Sequence, residues 1–366
     1  MKRTSPCRTH TWHAGMLDDE VQQHIARVRS LPHVQRIAVF PDAHLAGDAC
    51  VGTAILSASK LVPAWLGSDL GCGVAGLPIG NADVRDEGTW LRVLHALQRV
   101  IPIHRGERRA RPFEVTASDA FHALAARAEH EWATLGRGNH FVEIRVDEAT
   151  SQLWLLVHTG SRSLGPAVQA HYEKLSAKRL GGWAHLDALS DEGVGYLGDV
   201  AACVAWAEAS RRAMLHAAID ALREVLELAP DWSACIDTHH DSVVPYEGAY
   251  LHRKGAMFIA SGALGIIPGS MGDAVYIVRA RGHRDALDSA AHGAGRAVPR
   301  AQCHRRFSVH DIARSMHGVV FDGRAKDALI EELPDAYKDI DTVMRAQRDV
   351  VRVVSKLEAR VVHKGR

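Results

Sequence analysis

The sequence lacks the features that would place a protein across a membrane or outside the cell. It has no run of about 18 apolar residues, the length that a membrane-spanning helix needs. The N-terminal stretch MKRTSPCRTHTWHAG contains no apolar segment, so we do not expect secretion. The six cysteines show no spacing typical of a disulfide framework, which favours reduced thiols and a cytoplasmic location.

The sequence also lacks two common metal-binding motifs and a strong net charge, and these absences exclude further classes of function. Neither a CxxC nor an HExxH motif occurs, which excludes the usual zinc-finger and zinc-protease patterns. The formal net charge is only +1, so the protein has no general basic coat for nucleic acid and any polyanion must bind to local patches. The densest basic run, at residues 104–111, is by itself more typical of a solvated surface loop.

Hydrophobic spacing predicts a mixed chain of the α+β class. The predicted strands lie at residues 36–40 and 51–56, on either side of a turn at 41–47, and at 141–144, 153–157, 254–260 and 274–279. The predicted helices lie at 85–100, 117–135, 168–228 with breaks near 181 and 193, and 336–358. Polar motifs with glycine extend from residue 41 to 295 and recur near 364, so we expect one site within one domain, residues 1–366.

Histidine is abundant, with 23 residues, and several of them share one setting. Four lie beside glycine or a small polar residue near the end of a strand-like run: His140, His158, His240 and His292. One such histidine is usually structural, but the repetition, together with Asp69 and Cys72 in the segment GSDLGCGVAG, indicates a metal site. Oxygen, sulfur and nitrogen donors together suit zinc, manganese, iron or cobalt better than magnesium or calcium.

Other segments indicate phosphate chemistry. The segment GIIPGSMG at 265–272 offers backbone N–H groups to an anion, although a turn between strands explains it equally well. His292 lies in HGAGR, where small neighbours suit a nucleophile that carries a phosphoryl group. Arg162, Arg253 and Lys254 are candidate phosphate ligands, with plain surface charge as the alternative.

These segments occur in an order that resembles the RtcB family of RNA ligases. The motifs are PDAH, GSDLGCGV, GRGNHFVEI, LVHTGSRSLG, HHD, HRKGA, GIIPGSMG, HGAGR, PDAYKDIDTVMRAQRDVVRVVSKL and HKG. The resemblance covers the chain from about residue 36 onward and implies one large mixed α/β domain with a central site built from strand-end loops. Residues 1–35 form a divergent segment, and residues 336–366 are expected to supply a helix and a tail that complete a nucleotide site. The short chain is similar to a compact branch associated with release factor H.

The resemblance implies a GTP-dependent RNA ligase with two Mn²⁺ ions. Such an enzyme joins RNA ending in a 3′-phosphate or 2′,3′-cyclic phosphate to RNA with a 5′-hydroxyl, through a histidine–GMP intermediate, in RNA repair or tRNA splicing. An activating protein factor is a further partner that the sequence leaves open. One alternative is a metal-dependent RNA-end phosphatase or cyclic phosphodiesterase that has lost ligation. A non-catalytic RNA-binding relative is disfavoured, since it would need no thiolate among its histidines.

The resemblance also implies a role for individual residues. The implied metal ligands are Asp69, Cys72, His140, His158 and His240, with Cys72 between the two ions. His292 is the implied nucleophile, and Asp42 assists catalysis. The implied nucleotide contacts are Asn139, Glu143, Pro268, Gly269, Ser270, Met271, Gly272, Gly293, Ala294, Gly295 and Lys364. The implied RNA contacts are Arg162, Arg253 and Lys254.

Three sites depart from the family pattern. Asp241 stands where the family usually has Asn, which adds a negative charge near the expected metals. Ala290 and Ala291 replace the usual Cys and Ser before the nucleophile, and Pro299 replaces a Ser. No expected ligand is lost, so these changes bear on substrate preference and turnover.

Overall fold

Two β-sheets and a group of helices organise the chain in the computed structural model. It describes residues 7–13, 15, 17–81, 86–104, 116–323 and 329–365. Nearly all of the basic run at 104–111 lies outside these residues. No described helix has both the length and the apolar character that crossing a membrane requires.

Strands and helices are interspersed along the whole of the described chain. The strands are β1 (Arg8–Thr11), β2 (Val34–Ala46), β3 (Ala49–Ser57), β4 (Lys60–Leu61), β5 (Gly73–Asn81), β6 (Phe141–Asp147), β7 (Gln152–Thr159), β8 (Arg179–Leu180), β9 (Trp183–Ala184), β10 (Leu186–Asp187), β11 (Ile236–His239), β12 (Asp241–Tyr246), β13 (Ala249–Lys254), β14 (Ala256–Phe258), β15 (Leu264–Pro268), β16 (Val275–Ala280), β17 (Ser289–Ala291), β18 (Val320–Phe321) and β19 (Val351–Lys364). The α-helices are α1 (Asp19–Arg29), α2 (Glu87–Val100), α3 (Asp119–Ala128), α4 (Leu164–Leu175), α5 (Asp191–Leu222), α6 (Arg300–Arg306), α7 (Val309–Ser315) and α8 (Ile340–Ala346). Short 3₁₀ turns occur at Pro63–Trp65, Glu129–Glu131, Trp232–Ala234, Arg284–Ala286, Ile330–Glu332 and Pro334–Ala336.

The larger sheet has the strand order β11-β5-β7-β6-β19-β16-β15, and β18 pairs with β19 beside this path. The smaller sheet has the order β1-β2-β3-β13-β12. Most neighbouring strands are antiparallel, while β1 with β2 and β18 with β19 are parallel. Helices and sheets are thus mixed as the sequence predicts, and the α+β class is confirmed.

The larger sheet is buried on both faces near β6 and β7, and the two faces differ in chemistry. Side chains alternate between faces along a strand. Val142 and Ile144 belong to the apolar core that also contains residues of α2 and α5. Glu143 and Arg145 take the alternate positions and are also buried. Because helices cover the apolar face, the polar side chains of the other face are directed to the interior where the site lies.

The prediction of a helix over residues 336–358 is wrong for most of that range. Helix α8 ends at Ala346, and Val351–Lys364 form strand β19. The three- and four-residue steps suggested a helix, but β-branched valines at 350, 351, 353 and 354 also suit a strand. Strand β19 pairs with β16 on one side and β6 on the other, so tertiary pairing overrides the helical spacing. The strand brings Lys364 opposite Phe141.

The predicted turn at 41–47 is also wrong in its position. Strand β2 continues to Ala46, and the turn into β3 lies at Gly47 and Asp48. The register shifts between Val39 and His44, so a bulge replaces the expected turn. Gly52 faces the bulge with φ +78°, and a Cβ there would lie 2.7 Å from the Cα of Ala43. Glycine therefore permits the bulge that carries Asp42 toward the interior.

The remaining predictions of secondary structure are confirmed in their main parts. Helices α2 and α3 fall within 85–100 and 117–135, and α4 and α5 account for most of 168–228. The break near residue 181 contains the short hairpin β8–β9, whereas residue 193 lies in the first turn of α5. Helix α5 has 32 residues, which corresponds to about 48 Å.

Candidate functional site

A cavity of about 220 Å³ collects most of the residues that the sequence singled out. The lining includes residues from β2, β3, β6, β7, β12, β13, β15 and β19, and from the loops that precede β5 and β6 and follow β17. The predicted site residues among them are Asp69, Cys72, Asn139, His158, His240, Lys254, Pro268, Gly269, Ser270, Met271, His292, Gly293, Ala294, Gly295 and Lys364. Distant loops therefore converge on one site.

Cys72 is the centre of a buried cluster at one end of the cavity. Its Sγ lies 3.3 Å from Nε2 of His158 and 3.6 Å from Nε2 of His140. Oδ2 of Asp69 lies 2.8 Å from the same nitrogen of His140. The possible ligand atoms form two groups of three within 4.8 Å, Cys72 with His158 and His240, and Asp69 with Cys72 and His140. Cys72 belongs to both groups, so its thiol lies between two candidate metal positions.

The orientation of the imidazoles fits metal binding. Nδ1 of His140 donates to the carbonyl oxygen of Leu135 at 2.9 Å, and Nδ1 of His158 donates to that of Asn139 at 3.2 Å. Because a carbonyl only accepts, each Nε2 of a neutral ring presents a lone pair to the cluster. The lone pair of His140 then faces a carboxylate oxygen of Asp69, an arrangement that requires a proton or a metal cation between them.

The burial of polar atoms in this cluster also indicates a metal site. Oδ1 of Asp69 is buried and has no hydrogen-bond partner among the described residues. Burial raises the pKa of Cys72 well above its usual value, and the charges of Asp69 and Asp241 raise it further. Burial lowers the pKa of His158 and of His240, which keeps both rings neutral. A bound cation would satisfy the unpaired oxygen and stabilise the thiolate, so the cluster fits a metal centre.

His292 lies next to this cluster and is fixed by Asp42. Its ring centroid is 4.8 Å from that of His240. Oδ2 of Asp42 accepts from Nδ1 of His292 at 2.7 Å and from its backbone N–H at 3.0 Å. Burial lowers the pKa of His292, but the hydrogen bond and charge of Asp42 outweigh it and raise the pKa. With Nδ1 occupied, Nε2 is the nitrogen available for bond formation.

The bulge that carries Asp42 is held by a lysine that the sequence motifs did not single out. Nζ of Lys338 donates to the carbonyl oxygens of Pro41 and Ala43, at 2.9 Å and 2.7 Å. These carbonyls belong to the irregular part of β2, where ladder pairing is interrupted. Lys338 thus fixes the backbone on both sides of Asp42 and, through it, the orientation of His292.

Glycine-rich loops form the other end of the cavity. Pro268 ends β15, Gly269, Ser270 and Met271 follow it, and the segment after β17 lines the same cavity. Oγ of Ser270 is buried without a hydrogen-bond partner in the described chain. Gly272 does not line the cavity, and a Cβ there would lie 2.5 Å from the carbonyl oxygen of Ser315.

Glu143 lies behind the cavity wall, paired with a neighbouring cation. Its Oε2 accepts from Nε of Arg145 at 2.8 Å, and both residues are 1% exposed. Arg145 also donates to the carbonyl oxygens of Ser270 and Asp273. Burial raises the pKa of Glu143, and Arg145 opposes that rise. Arg145 therefore ties Glu143 to the glycine-rich loop, a link that the sequence did not predict.

A second charged cluster, centred on Glu332, also lines the cavity and was missed from sequence. Oε2 of Glu332 accepts from Oη of Tyr337 at 2.7 Å and lies 3.2 Å from Nζ of Lys364. Oε1 accepts from Arg300 at 3.1 Å and from Arg296 at 3.4 Å. Burial opposes ionisation, but the charges of Lys364 and Arg300 outweigh it and hold the pKa of Glu332 at about 2. Three cations around one carboxylate leave this end of the cavity positive.

We expect Glu332→Gln to destabilise the protein in a pH-dependent way. The folded pKa of Glu332 is about 2 against an ordinary 4.5, so its contribution is complete above pH 4.5 and is lost as the pH falls toward 2. The difference corresponds to on the order of 3 kcal/mol at neutral pH. Urea unfolding at pH 7 and pH 4 should show a smaller gap between wild type and variant at pH 4. Glu331→Gln, at a more exposed carboxylate, is the control; a gap independent of pH would contradict the assignment.

The structure places the three predicted RNA contacts in different surroundings. In β13, Lys254 lines the cavity and its neighbour Arg253 takes the opposite face. Arg253 is 1% exposed and donates to Oγ of Ser289 at 2.9 Å, so the structure does not bring it to the cavity. Arg162 lies outside the lining, but its Nε is buried without a partner in the described structure, and its charge lowers the pKa of Asp69 after that of His140.

The three departures from the family pattern differ in their contacts. Asp241 lines the cavity beside Lys254, its partner across β12 and β13, and accepts from the backbone N–H of Gly255 at 2.7 Å. Burial raises the pKa of Asp241 to about 7. Ala290 and Ala291 are fully buried in β17, where small side chains pack in the core. Pro299 precedes the first residue of α6.

An α+β fold with a buried Asp, Cys and His cluster has the composition of a metal-binding enzyme site. The model of the family described as tRNA-splicing ligase RtcB matches residues 113–365. The chain is 32% identical to RNA-splicing ligase RtcB of Escherichia coli K12, with 97% of this chain and 96% of the relative covered. It is 28% identical to tRNA-splicing ligase RtcB of Nanoarchaeum equitans, with 65% and 61% covered. The chain belongs to the RtcB family.

Proposed function

We propose that the protein is a GTP- and Mn²⁺-dependent RNA ligase that joins a 3′-phosphate or 2′,3′-cyclic phosphate end to a 5′-hydroxyl end. The observation that carries the proposal is the position of His292 beside two groups of metal ligands that share Cys72. A nucleophilic imidazole next to two candidate cation positions suits transfer of a nucleotidyl group. The names of the similar RtcB proteins, which describe RNA and tRNA splicing ligases, support the same activity.

The metal ligands in this proposal are Asp69, Cys72, His140, His158 and His240. Manganese accepts the oxygen and nitrogen donors, and the shared thiol suits a pair of ions. The metal supplies neutralisation of phosphate charge when it is bound. Asp69 and His140 offer donors to one position, His158 and His240 offer donors to the other, and Cys72 belongs to both groups.

His292 is the residue that takes GMP from GTP in this proposal. Asp42 holds the proton on Nδ1, which leaves the lone pair of Nε2 to attack phosphorus. As Nε2 forms a bond to the α-phosphorus, the bond to the leaving pyrophosphate breaks. The negative charge of Asp42 stabilises the positive charge that develops on the ring. Asp42 thus both orients the nucleophile and stabilises its product.

The opposite end of the cavity binds the nucleotide in this proposal. The loops around Gly269 and Gly293 provide close access to backbone, and Ser270 provides an unpaired hydroxyl. Asn139 also lines the cavity. The positive cluster around Glu332 includes Lys364 and favours an anionic ligand. Oε1 of Glu143 is buried without a partner among the described residues and is an acceptor available for a base.

The RNA contacts in this proposal are Lys254 and Arg162. Lys254 lines the cavity, where a cation would attract an RNA phosphate. The buried, unpartnered Nε of Arg162 offers a directed donor near Asp69. Asp241 stands next to Lys254 and offsets part of its charge, so we expect weaker dependence of RNA binding on Lys254 than its position alone suggests.

We expect Gly160→Ala to weaken metal binding. A Cβ at residue 160 would lie 2.1 Å from Oδ1 of Asp69, so the carboxylate must move away from His140. The affinity for Mn²⁺, measured by isothermal titration, should fall about ten- to hundredfold. Gly198→Ala is the matched control, because nothing lies within 4 Å of a Cβ there. Equal affinities of the two variants would remove Asp69 from the metal site.

The proposal is tested by ligation with defined RNA ends. Synthetic RNAs ending in a 3′-phosphate or a 2′,3′-cyclic phosphate are incubated with a 5′-hydroxyl RNA, Mn²⁺ and either GTP or buffer. Joined product is expected only with GTP. Removal of the terminal phosphate without joining, equally with and without GTP, would instead identify a phosphatase or cyclic phosphodiesterase.

A further inference from the structure

A second cavity, of about 500 Å³, lies next to the site and contains none of the predicted site residues. The tip of the β2–β3 hairpin separates the two cavities. His44, Ala46 and Val51 line the first, whereas Leu45, Gly47 and Asp48 line the second. The remaining wall is formed by α1 and by the turn of the β8–β9 hairpin.

The two cavities are also linked through α1. His24 lines the second cavity, and its Nε2 accepts from the backbone N–H of Cys50 at 3.3 Å. The next residue, Val51, lines the first cavity. Burial, together with the charges of Arg27 and Lys254, lowers the pKa of His24 to about 4. Lys254, at the wall of the first cavity, is therefore close enough to act on the second.

The guanidinium of Arg27 lies over the indole ring of Trp183 in this cavity. The guanidinium carbon lies 4.1 Å from the centre of the indole ring. Arg27 also donates to the carbonyl oxygen of Gly181, and Nε1 of Trp183 donates to that of Asp48 at 3.0 Å. The indole is buried, whereas Arg27 is exposed. One face of a planar cation is thus fixed against the protein, and the other is open to a ligand.

The polar groups around this plane favour a base over a phosphate. Glu20 and Asp48 place two carboxylates in the lining, against one guanidinium. Carboxylates repel phosphate and accept hydrogen bonds from amino groups, which cytosine, adenine and guanine carry. Unpaired RNA bases stack on guanidinium planes and are read along their edges. Uracil has no amino group and would turn a carbonyl oxygen toward a carboxylate.

We propose that the second cavity binds one unpaired base of the RNA strand whose end lies in the first cavity, and that it prefers a base with an amino group over uracil. This rests on the proposed function, because RNA is the polymer that would connect the two cavities. Arg27 provides the stacking surface, and Asp48 and Glu20 accept the amino hydrogens. The protein therefore discriminates among RNA ends by base identity.

The test measures the binding of fluorescent RNAs of about 10 nucleotides by anisotropy, with Mn²⁺ and without GTP. The RNAs differ only in one base, changed in turn at each position near the 3′-phosphate. At one position, wild type should bind the uracil RNA several-fold more weakly than the other three. Asp48→Asn adds an N–H donor and should reduce this ratio or reverse it. The ratio is measured within each variant, so partial loss of folded protein does not affect it.

Substitutions of Arg27 test the stacking. Arg27→Ala should weaken binding of these RNAs about tenfold and leave a dinucleotide with a 3′-phosphate unaffected. Arg27→Lys keeps the charge without the plane and should behave like Arg27→Ala. Arg29→Ala, on the same helix but outside the cavity, is the matched control. Thermal unfolding of each variant checks that the fold is intact.

Several results would overturn the proposal. They are equal affinities of Arg27→Ala and Arg29→Ala, full recovery with Arg27→Lys, or no base preference at any position. Failure of the proposed ligase activity is recognised separately, because it appears as absent joining in wild type while the binding ratio is still measured.

Discussion

The His292→Ala variant is expected to lose all covalent labelling by GTP. Wild type incubated with Mn²⁺ and GTP labelled at the α-phosphate should acquire an acid-labile GMP, because an imidazole phosphoramidate is hydrolysed in acid. The variant has no nucleophilic nitrogen at this position, so label retained after denaturing electrophoresis should fall to background. Its metal content should stay unchanged, since His292 lies beside the two groups of ligands and belongs to neither.

His239→Ala is the matched control for this experiment. His239 is next to the proposed ligand His240 in sequence, yet its ring pairs with Glu208 at 3.5 Å and does not line the cavity. Labelling and metal content should both be near the wild-type level. If the His292→Ala variant still acquired GMP, the nucleophile would be another residue and the proposed chemistry of the site would fail.

The Cys72→Ala variant is expected to lose most of its bound metal, which is the second large effect. Cys72 is the possible ligand that the two groups share, so one substitution removes a donor from both candidate metal positions. Bound Mn²⁺ should fall to a small fraction of the wild-type content, and labelling by GTP should stop with it. Metal content after dialysis is measured by atomic emission spectrometry, independently of activity.

Cys50→Ala separates loss of a metal ligand from loss of a buried thiol. Cys50 is also buried, and burial raises its pKa to about 12, but it belongs to neither ligand group. Its removal costs some packing and should leave the metal content unchanged. Unchanged metal content in Cys72→Ala as well would take Cys72 out of the site.

The residues that the structure gathers into the buried cluster could be singled out because their local settings recur in the sequence. Asp69 and Cys72 lie among glycines, and each candidate histidine lies near a strand end with small neighbours. The division of these residues between two positions could not be predicted, because it depends on where loops far apart in sequence meet. The roles implied by the family resemblance stay predictions until the variants are measured.

The sequence did not predict which way individual side chains face, or how charges and strands pair. Arg253 and Lys254 are adjacent cations, and only the register of β13 decides that Lys254 faces the cavity. Glu332 was missed because it lies in the polar segment EELPD, which is typical of a protein surface. Nothing in that segment indicates that three cations distant in sequence surround this carboxylate in the fold. Strand β19 was missed because its apolar steps suit a helix until its two neighbours are known.

Because β19 lies between β6 and β16, the larger sheet can close only after this late strand has been synthesised. Strands β6 and β16 are both synthesised before β19, and each has an unsatisfied edge until β19 enters between them. Nascent chains that stop before residue 351 therefore display two open edges, which are prone to pair with other chains. Lys364 arrives with the same strand, so the proposed nucleotide site can be complete only after the sheet is closed.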